Sequence, residues 1–367
     1  MNLQDEIDDV RKDIKTDSYQ MSIGEFVNLY KEGEVDIHPE FQRFYRWTEP
    51  QKSRFIESLL LGIPIPPIFV AQSKEGTWDV VDGVQRLSTI FELFGILKNE
   101  QDELCPPLKL MKTTYLSALQ GMYFENDENP ETSFTQTQRL LIKRAKLDVS
   151  IVLKESDEKA QYELFQRLNT GGSQLSEQEV RNCMIVMLDK NFYTWLKSIS
   201  DVNSFQQTIA ITDKAKSEQY DQELALRFAI FRKMTQQDLS KIVDVGDFIT
   251  DKMVEIIKFK RINFLEEKNA FEWTFDKILS SLGENAFRRF DSRSGKQLGG
   301  FVLSVFEVLT LGLGYYYGKH DFTDGDIKGN YEKLWNNDQF LQYSGSGVRG
   351  NTRIPKLITV GRKLFKP

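Results

Sequence analysis

Residues 78–95 read WDVVDGVQRLSTIFELFG and join a strand pattern to a helix pattern through a glycine. The run TWDVVD, residues 77–82, predicts a strand, and Gly83 suits a tight turn. Apolar side chains then recur at helical spacing, at Leu87, Ile90, Phe91 and Phe94. The pattern therefore predicts a helix from Val84 to about Leu97.

The turn between this strand and helix has the chemistry of a phosphate site. A helix that starts after a glycine turn exposes backbone N–H groups and partial positive charge. Arg86, one turn in, is placed to form a bidentate pair with a phosphate, and Asp82 is placed to hold Mg²⁺. The spacing equally allows a structural interpretation, in which Asp82 caps the helix and Arg86 lies at the surface.

The flanking sequence predicts the fold class. PPIFVAQ and LDVSIVLK are typical of strands, whereas Ser22 and Thr48 mark helix starts that end at Gly33 and Gly62. From residue 177 onward the periods are mostly helical. We expect an α+β protein, with a small mixed sheet in the N-terminal domain followed by a mostly α-helical domain. The expected divisions are a solvated lead-in at 1–18, a first domain at 19–170 and a second at 171–367.

Composition excludes several classes of protein. The net charge of −6 and pI near 5.3 argue against a protein that is basic throughout, although not against a local basic patch. Cys105 and Cys183 define neither a disulfide framework nor a zinc site, and the acidic N-terminus is no signal peptide, so we expect a cytoplasmic protein. The apolar segment 299–318 contains Glu307, which favours a buried helix over a membrane span.

Two further stretches mix arginine with groups that suit nucleotides. In FQRFYRW, residues 41–47, arginines alternate with aromatic residues, which suits bases and phosphates; packing at the edge of a core is the alternative. In FQRLNTGG, residues 165–172, an arginine and an asparagine precede two glycines. That loop fits an anion or a sugar, or simply a helix closed by glycine.

The C-terminal end segregates positive charge. After Asp338 the chain has no acid, and it has six basic residues: Arg349, Arg353, Lys356, Arg362, Lys363 and Lys366. This arrangement predicts a contact with a polyanion, for which Arg349, Arg353 and Lys356 are our candidates. A solvated tail is the alternative.

Four stretches in order, FQRFYRW, GIPIPPIFV, VVDGVQRLSTI and FQRLNTGGSQLSEQEVRN, resemble one known family. It is the N-terminal domain of GmrSD-type, modification-dependent type IV restriction enzymes, which is ParB/sulfiredoxin-like in fold. The resemblance is clear over about residues 20–185 and loose beyond them, through ELALRF and GNTR.

The resemblance implies a nucleotide or phosphate site. The family's Asp-Gly-Gln-Gln-Arg motif corresponds to residues 82–86 here, so Asp82 and Arg86 become catalytic candidates, and Gly83, Gln85 and Arg86 binding candidates. Other family motifs add Gln42, Arg43, Arg167 and Asn169 to the phosphate-binding set, and Tyr45 and Trp47 as nucleic-acid contacts. The implied cofactors are a nucleoside triphosphate and Mg²⁺. The implied function is defence against phage through NTP hydrolysis or NTP-regulated DNA cleavage.

Two departures from the family pattern matter. Val84 replaces the first glutamine of the motif and removes an amide that could touch a nucleotide or water. Full-length enzymes of the family also carry a C-terminal HNH nuclease domain, and this chain has only His38 and His320, so we expect no such domain. Nuclease activity would then come from a partner subunit or from the ParB-like site. Non-enzymatic DNA sensing and a partner-binding scaffold with a degenerate site remain the alternative functions.

Overall fold

The computed structural model describes residues 2–5, 15–37, 47–73, 75–99, 101–154, 156, 176–291, 293–345 and 347–367. The chain divides into two compact units, Met1–Gln174 and Leu175–Pro367. Each unit is treated by itself below. The first combines a sheet with helices and the second is mostly helical, which confirms the predicted α+β class.

A five-stranded mixed sheet organises the first unit. Its strands are β1 (Thr16–Ser22), β2 (Val35–Asp36), β3 (Ile68–Gln72), β4 (Trp78–Asp82) and β5 (Lys146–Val152). They lie in the order β1-β5-β3-β4-β2. The β1–β5 and β3–β4 pairs are antiparallel, whereas β5–β3 and β4–β2 are parallel. The predicted strands β3, β4 and β5 are therefore confirmed.

Four helices of the first unit pack with this sheet around one apolar core. They are α1 (Ile23–Glu32), α2 (Glu49–Leu61), α3 (Val84–Leu93) and α4 (Gln136–Arg144). Core residues come from all four helices and from the sheet, among them Phe26, Ile56, Phe91, Ile142 and Val149. Short 3₁₀ turns at Ser117–Leu119 and Pro130–Thr132 interrupt the connection between α3 and α4.

Local capping signals determine where α1 and α2 begin and end. The Ser22 hydroxyl accepts a hydrogen bond from the Glu25 N–H, and Thr48 forms a capping box with Gln51. Gly33 and Gly62 close the two helices with φ angles of 75° and 69°, which are left-handed conformations that favour glycine. Both predicted helices are confirmed at both ends.

Two expected boundaries differ from the structure. Helix α3 ends at Leu93 rather than near Leu97, because Gly95 adopts a φ of 65° and its N–H bonds to the Glu92 carbonyl. Strand β1 starts at Thr16, inside the expected lead-in, and pairs with β5 from Thr16 opposite Val152. Its first five side chains are exposed, so the segment has no alternation of buried residues that would reveal a strand.

The second unit consists of packed helices and one hairpin. Its helices are α5 (Glu177–Leu188), α6 (Lys190–Ser200), α7 (Asn203–Ile209), α8 (Asp213–Ser217), α9 (Tyr220–Phe231), α10 (Gln236–Leu239), α11 (Val245–Lys258), α12 (Phe264–Leu282), α13 (Leu303–Leu313), α14 (Asp324–Leu334), α15 (Asp338–Tyr343) and α16 (Gly350–Leu364). Strands β6 (Arg289–Asp291) and β7 (Lys296–Leu298) form the hairpin. The predicted helical character of this part is confirmed.

Helix α13 is the centre of the second unit. Its residues 304–313 are all buried, which confirms the interpretation of segment 299–318 as containing a core helix. In the parts of the chain that the structure describes, no helix has both the length and the apolar character needed to cross a membrane. Helix α16 crosses α13 closely, because Gly312 and Gly361 meet there: a Cβ added to Gly312 would lie 2.6 Å from the Gly361 carbonyl carbon.

The glycine contact between α13 and α16 should be sensitive to one added methyl group. A Cβ on Gly361 would overlap the carbonyl oxygen of Val308, and backbone cannot move aside as a side chain can. We expect Gly361→Ala to lower the free energy of unfolding by about 1–3 kcal/mol. Urea denaturation followed by far-UV circular dichroism measures this change. Gly329→Ala is the matched control, since open space surrounds Gly329 within α14, and it should be neutral or stabilising by up to ~1 kcal/mol.

Candidate functional site

The candidate site is the hinge where β4 ends and α3 begins. Gly83 is the N-cap residue of α3, with a φ of 100°, and no side chain caps the helix. A side chain at this position would collide with the Ile68 side chain as well as strain the backbone. The hinge therefore requires glycine, and it leaves the start of α3 without the usual side-chain acceptor.

Arg86 is a largely buried residue that connects the segments on either side of the hinge. Its side chain is only 10% exposed. The Nη1 group donates to the carbonyl oxygens of Pro66 and Pro67, the latter at 3.1 Å, and Nη2 donates to Asp82 Oδ2 at 2.9 Å. Burial lowers the pKa of the guanidinium, and the charge and hydrogen bond of Asp82 oppose that shift. The structural interpretation of the sequence was wrong in both parts, because Arg86 is not at the surface and Asp82 does not cap α3.

Asp82 is the accessible acid of the hinge. Its side chain is 42% exposed, and one carboxylate oxygen is engaged by Arg86. The ion pair spans the glycine turn from the last residue of β4 to the first turn of α3. Arg86 therefore fixes the direction of the carboxylate while most of the arginine remains shielded from water.

Gln85 connects the hinge to the aromatic stretch at residues 41–47. Its Oε1 accepts a hydrogen bond from the Trp47 N–H at 3.0 Å. The Trp47 ring packs edge-on against Phe55, with centroids 5.5 Å apart. Trp47 thus contacts the edge of the core, which is the packing alternative for this residue. Gln42, Arg43 and Tyr45 lie outside the described residues, as do Arg167 and Asn169.

Three of the four ordered motifs meet at this hinge. Residues 82–86 supply Asp82 and Arg86, residues 62–70 supply the two proline carbonyls, and residues 41–47 supply Trp47. The sequence indicated each motif separately but not the bonds that join them. The sequence feature that accompanies these bonds is the Pro66-Pro67 pair. A proline residue has a backbone carbonyl that accepts a hydrogen bond but no backbone N–H that donates one.

Asp82 fits a magnesium ion only in a limited way. Among the described residues, no group of three or more His, Cys, Asp or Glu side chains is arranged to hold a metal. Magnesium in nucleotide sites is usually held by one or two carboxylates together with substrate phosphates and water. A single, partly exposed carboxylate beside a helix start is compatible with that mode. The described side chains do not provide a site in which protein groups alone would surround the metal ion.

The end of the fourth motif, LSEQEVRN, builds structure in the second unit. Ser176 and Glu179 form the predicted capping box of α5, which is confirmed. Arg181 is fully buried and donates to the Thr250 hydroxyl at 3.1 Å and to Glu177 at 2.7 Å. The buried Asn182 donates to Gln222 at 2.9 Å. These contacts secure the first turns of α5.

An alternating chain of charges crosses the second unit. Arg181 lies 3.4 Å from Glu223, which pairs with Arg227 at 2.7 Å. Arg227 lies 3.8 Å from Glu307, and Glu307 accepts two hydrogen bonds from Arg353, at 2.9 and 3.0 Å. Burial raises the pKa of Glu223, but Arg227 and Arg181 lower it more, and the net direction is down. We call these five residues the charge chain.

The charge chain gives a structural role to residues of the two segments that resemble the family only loosely, ELALRF and GNTR. ELALRF supplies Glu223 and Arg227, GNTR supplies Arg353, and Glu307 of the apolar helix α13 joins them. Arg353, a predicted nucleic-acid contact, is thus ion-paired within the protein and 19% exposed. Arg349 and Lys356, the other two candidates on this segment, are exposed. An acid inside an apolar helix was the sequence signal for a buried ion pair.

Comparison with known protein families identifies the first part of the chain. Residues 23–186 match the model of the GmrSD restriction endonuclease N-terminal domain. The resemblance is thereby confirmed for this segment, which includes the hinge and the start of α5. Comparisons with curated proteins and with solved structures found no match.

Loss of Arg353 should destabilise the fold. Glu307 is 2% exposed, and without Arg353 its nearest cation is Arg227 at 3.8 Å. Because removing one partner leaves a buried charge uncompensated, we expect Arg353→Ala to cost about 3 kcal/mol in the free energy of unfolding. Arg349→Ala should change it by no more than ~0.5 kcal/mol, because Arg349 is exposed. Equal unfolding midpoints for the two variants in urea would contradict the structural role of Arg353.

Proposed function

We propose that this protein is an NTP-binding and NTP-hydrolysing module of a bacterial, DNA-directed, restriction-like system of defence against phage. The observation that carries the proposal is the hinge at residues 82–86. An uncapped helix start, a glycine with a φ of 100° and a partly exposed carboxylate occur together there. The match of residues 23–186 to a restriction endonuclease domain supports the restriction context.

The start of α3 is the proposed phosphate site. The first-turn N–H groups of a helix carry partial positive charge and favour anions. Gly83 adds no side chain between these groups and a ligand, and no side-chain oxygen caps the helix. The apolar face of α3, which includes Leu87, Ile90 and Phe91, anchors the helix in the core. A phosphate would thus meet a helix end held in a fixed position.

Asp82 and Arg86 have different proposed roles. The Asp82 carboxylate would repel a bare phosphate, so we assign it to holding Mg²⁺, directly or through water. When bound, this ion would neutralise charge on the nucleotide phosphates. Arg86 already donates to Pro66, Pro67 and Asp82, so we assign it chiefly to orienting Asp82 and holding the hinge. Its remaining donors could meet a phosphate only at the small exposed part of the side chain.

Further groups that bind the negatively charged nucleotide would come from residues that the family motifs indicate. In this proposal Gln42, Arg43, Arg167 and Asn169 contact the nucleotide, and Gln85 orients the segment before α2 through its bond to Trp47. Enzymes that transfer phosphoryl groups act mainly by positioning them and neutralising charge. DNA is the proposed target, and a separate nuclease subunit is the proposed partner that would cut it under NTP control.

Two observations favour a second candidate function, non-enzymatic DNA sensing. Arg86 makes three donor contacts within the protein, and Val84 occupies the position of a family glutamine. Both features leave fewer side-chain groups for nucleotide hydrolysis, and they affect hydrolysis more than ligand binding. In this alternative the hinge is structural, and DNA binding proceeds without nucleotide turnover.

Nucleotide binding and phosphate release test the two functions. We would titrate all four ribonucleoside triphosphates with Mg²⁺, with and without duplex DNA, against the wild type, Asp82→Asn and Arg86→Ala. We expect Asp82→Asn to abolish Mg²⁺-dependent binding while keeping the fold, because the side chain is partly exposed. Arg86→Ala should lose both binding and some stability, since Arg86 supports the hinge. Asp102→Asn is the matched control, because it also removes an i,i+4 ion pair, with Lys98.

The outcomes separate the proposals. Turnover in the wild type and in Asp102→Asn, but not in Asp82→Asn, would establish an NTPase at the hinge. Equal affinity in all variants would place any nucleotide site elsewhere. DNA binding by a wild type that binds no nucleotide would reject the NTPase and support the sensing function.

A further inference from the structure

The last helix, α16, has one buried face and one basic face. Its buried side chains recur at helical spacing, at Ile354, Leu357, Ile358 and Gly361. On the opposite side, Arg349 at the N-cap, Thr352, Lys356 and Lys363 are exposed. Lys366 is exposed just after the helix.

The exposed basic residues lie along one side of the helix. Arg349, Lys356 and Lys363 are spaced by seven residues, which places them on one line along the helix. We call Arg349, Lys356, Lys363 and Lys366 the basic stripe.

The structure divides the six C-terminal cations into two groups. Arg353 turns inward to Glu307, and Arg362 donates to the carbonyl oxygens of Phe231, Arg232 and Met234 at the end of α9. Burial lowers the pKa of Arg362, consistent with its structural position. The basic stripe differs, because within the described part of the chain none of its four residues forms an ion pair with an acid.

Aromatic rings lie next to one lysine of the stripe and to two other cations of the second unit. The Lys356 ammonium lies 5.9 Å from the centre of the Tyr343 ring. The Tyr315 ring has two cations over it: the Lys319 ammonium lies 3.7 Å from its centre and the Arg362 guanidinium 4.4 Å. Lys319 is exposed. A cation held over a ring loses part of its freedom before it meets a ligand.

We propose that the basic stripe binds the phosphate backbone of duplex DNA. At 1.5 Å per residue, the 14 steps from Arg349 to Lys363 span about 21 Å, close to the length of six base pairs at about 3.4 Å each. A row of cations along one face of a helix can contact backbone phosphates, and such contacts carry no base-sequence information. The inference rests on the proposed function only in taking DNA as the target, and it assigns that target to a surface of the second unit.

The composition of the stripe favours a duplex over a single strand. Proteins that bind single strands usually offer aromatic rings on which bases stack. The exposed line of α16 carries only basic residues and threonine, and Tyr343 lies beneath Lys356. The exposed line of the stripe thus offers positive charge and no aromatic side chain of its own for bases to stack on.

The salt dependence of DNA binding tests the inference. Fluorescence anisotropy would give the affinity of the full chain for a labelled 20-base-pair duplex at several salt concentrations. We expect the double variant Lys356→Gln and Lys363→Gln to bind on the order of tenfold or more weakly. Its slope of log K against log salt should fall by about two, because each of the two lysines neutralises one phosphate in the wild type. The double variant Lys328→Gln and Lys333→Gln on α14 removes the same charge from exposed lysines elsewhere and should match the wild type.

Each outcome decides the inference. A loss of slope in the stripe variant alone supports it, provided that the unfolding midpoint and nucleotide affinity of that variant are unchanged. Equal slopes in both double variants, no duplex binding by the wild type, or tighter binding of a single strand of equal length would overturn it. Because nucleotide binding is measured in the same samples, failure of the hinge proposal and failure of the stripe are distinguishable.

Discussion

The Arg86 side chain is the constraint on which the first unit depends. One guanidinium connects the carbonyls that precede β3, the acid that ends β4 and the first turn of α3. Removing it would leave the Pro66 and Pro67 carbonyl oxygens without this donor and the carboxylate without its orienting partner. Gly83 is the complementary requirement, since its φ of 100° favours glycine and a Cβ there would collide with the Ile68 side chain. The same contacts that stabilise the hinge therefore shape the proposed phosphate site.

In the second unit, the buried charges of the charge chain are stabilised by ion pairs between arginines and glutamates. Alternating signs along the charge chain give each glutamate two arginine neighbours, so that the cost of removing ions from water is offset by attraction. The chain joins side chains of α5, α9, α13 and α16. It also draws Arg353 inward, which separates the structural cations of α16 from the basic stripe on the opposite face. Helix α16 thus contributes both a buried ion pair that holds the fold and the exposed cations of the basic stripe.

Sequence patterns were reliable wherever the relevant interaction is local. Helix caps, glycine stops and β-branched runs act within a few residues. Helices α1 and α2 and the three central strands could therefore be predicted. Strand β1 was missed because its pairing with β5 joins residues more than 120 positions apart and buries few of its side chains. The position of Asp82 and Arg86 in a hinge was predictable, whereas the inward direction of Arg86 was not.

The sequence by itself determined the α+β class, the order of the motifs, the glycine hinge and the segregation of positive charge at the C-terminal end. Periodicity, capping and composition are properties of neighbouring residues, and they can be recognised without any tertiary contact. Only the tertiary structure decided which charges are used inside the protein. Arg86 meets Pro66 and Pro67, and Arg353 meets Glu307, through contacts between distant segments. Whether an arginine faces a ligand or a buried acid is a matter of packing, because both environments use the same guanidinium chemistry.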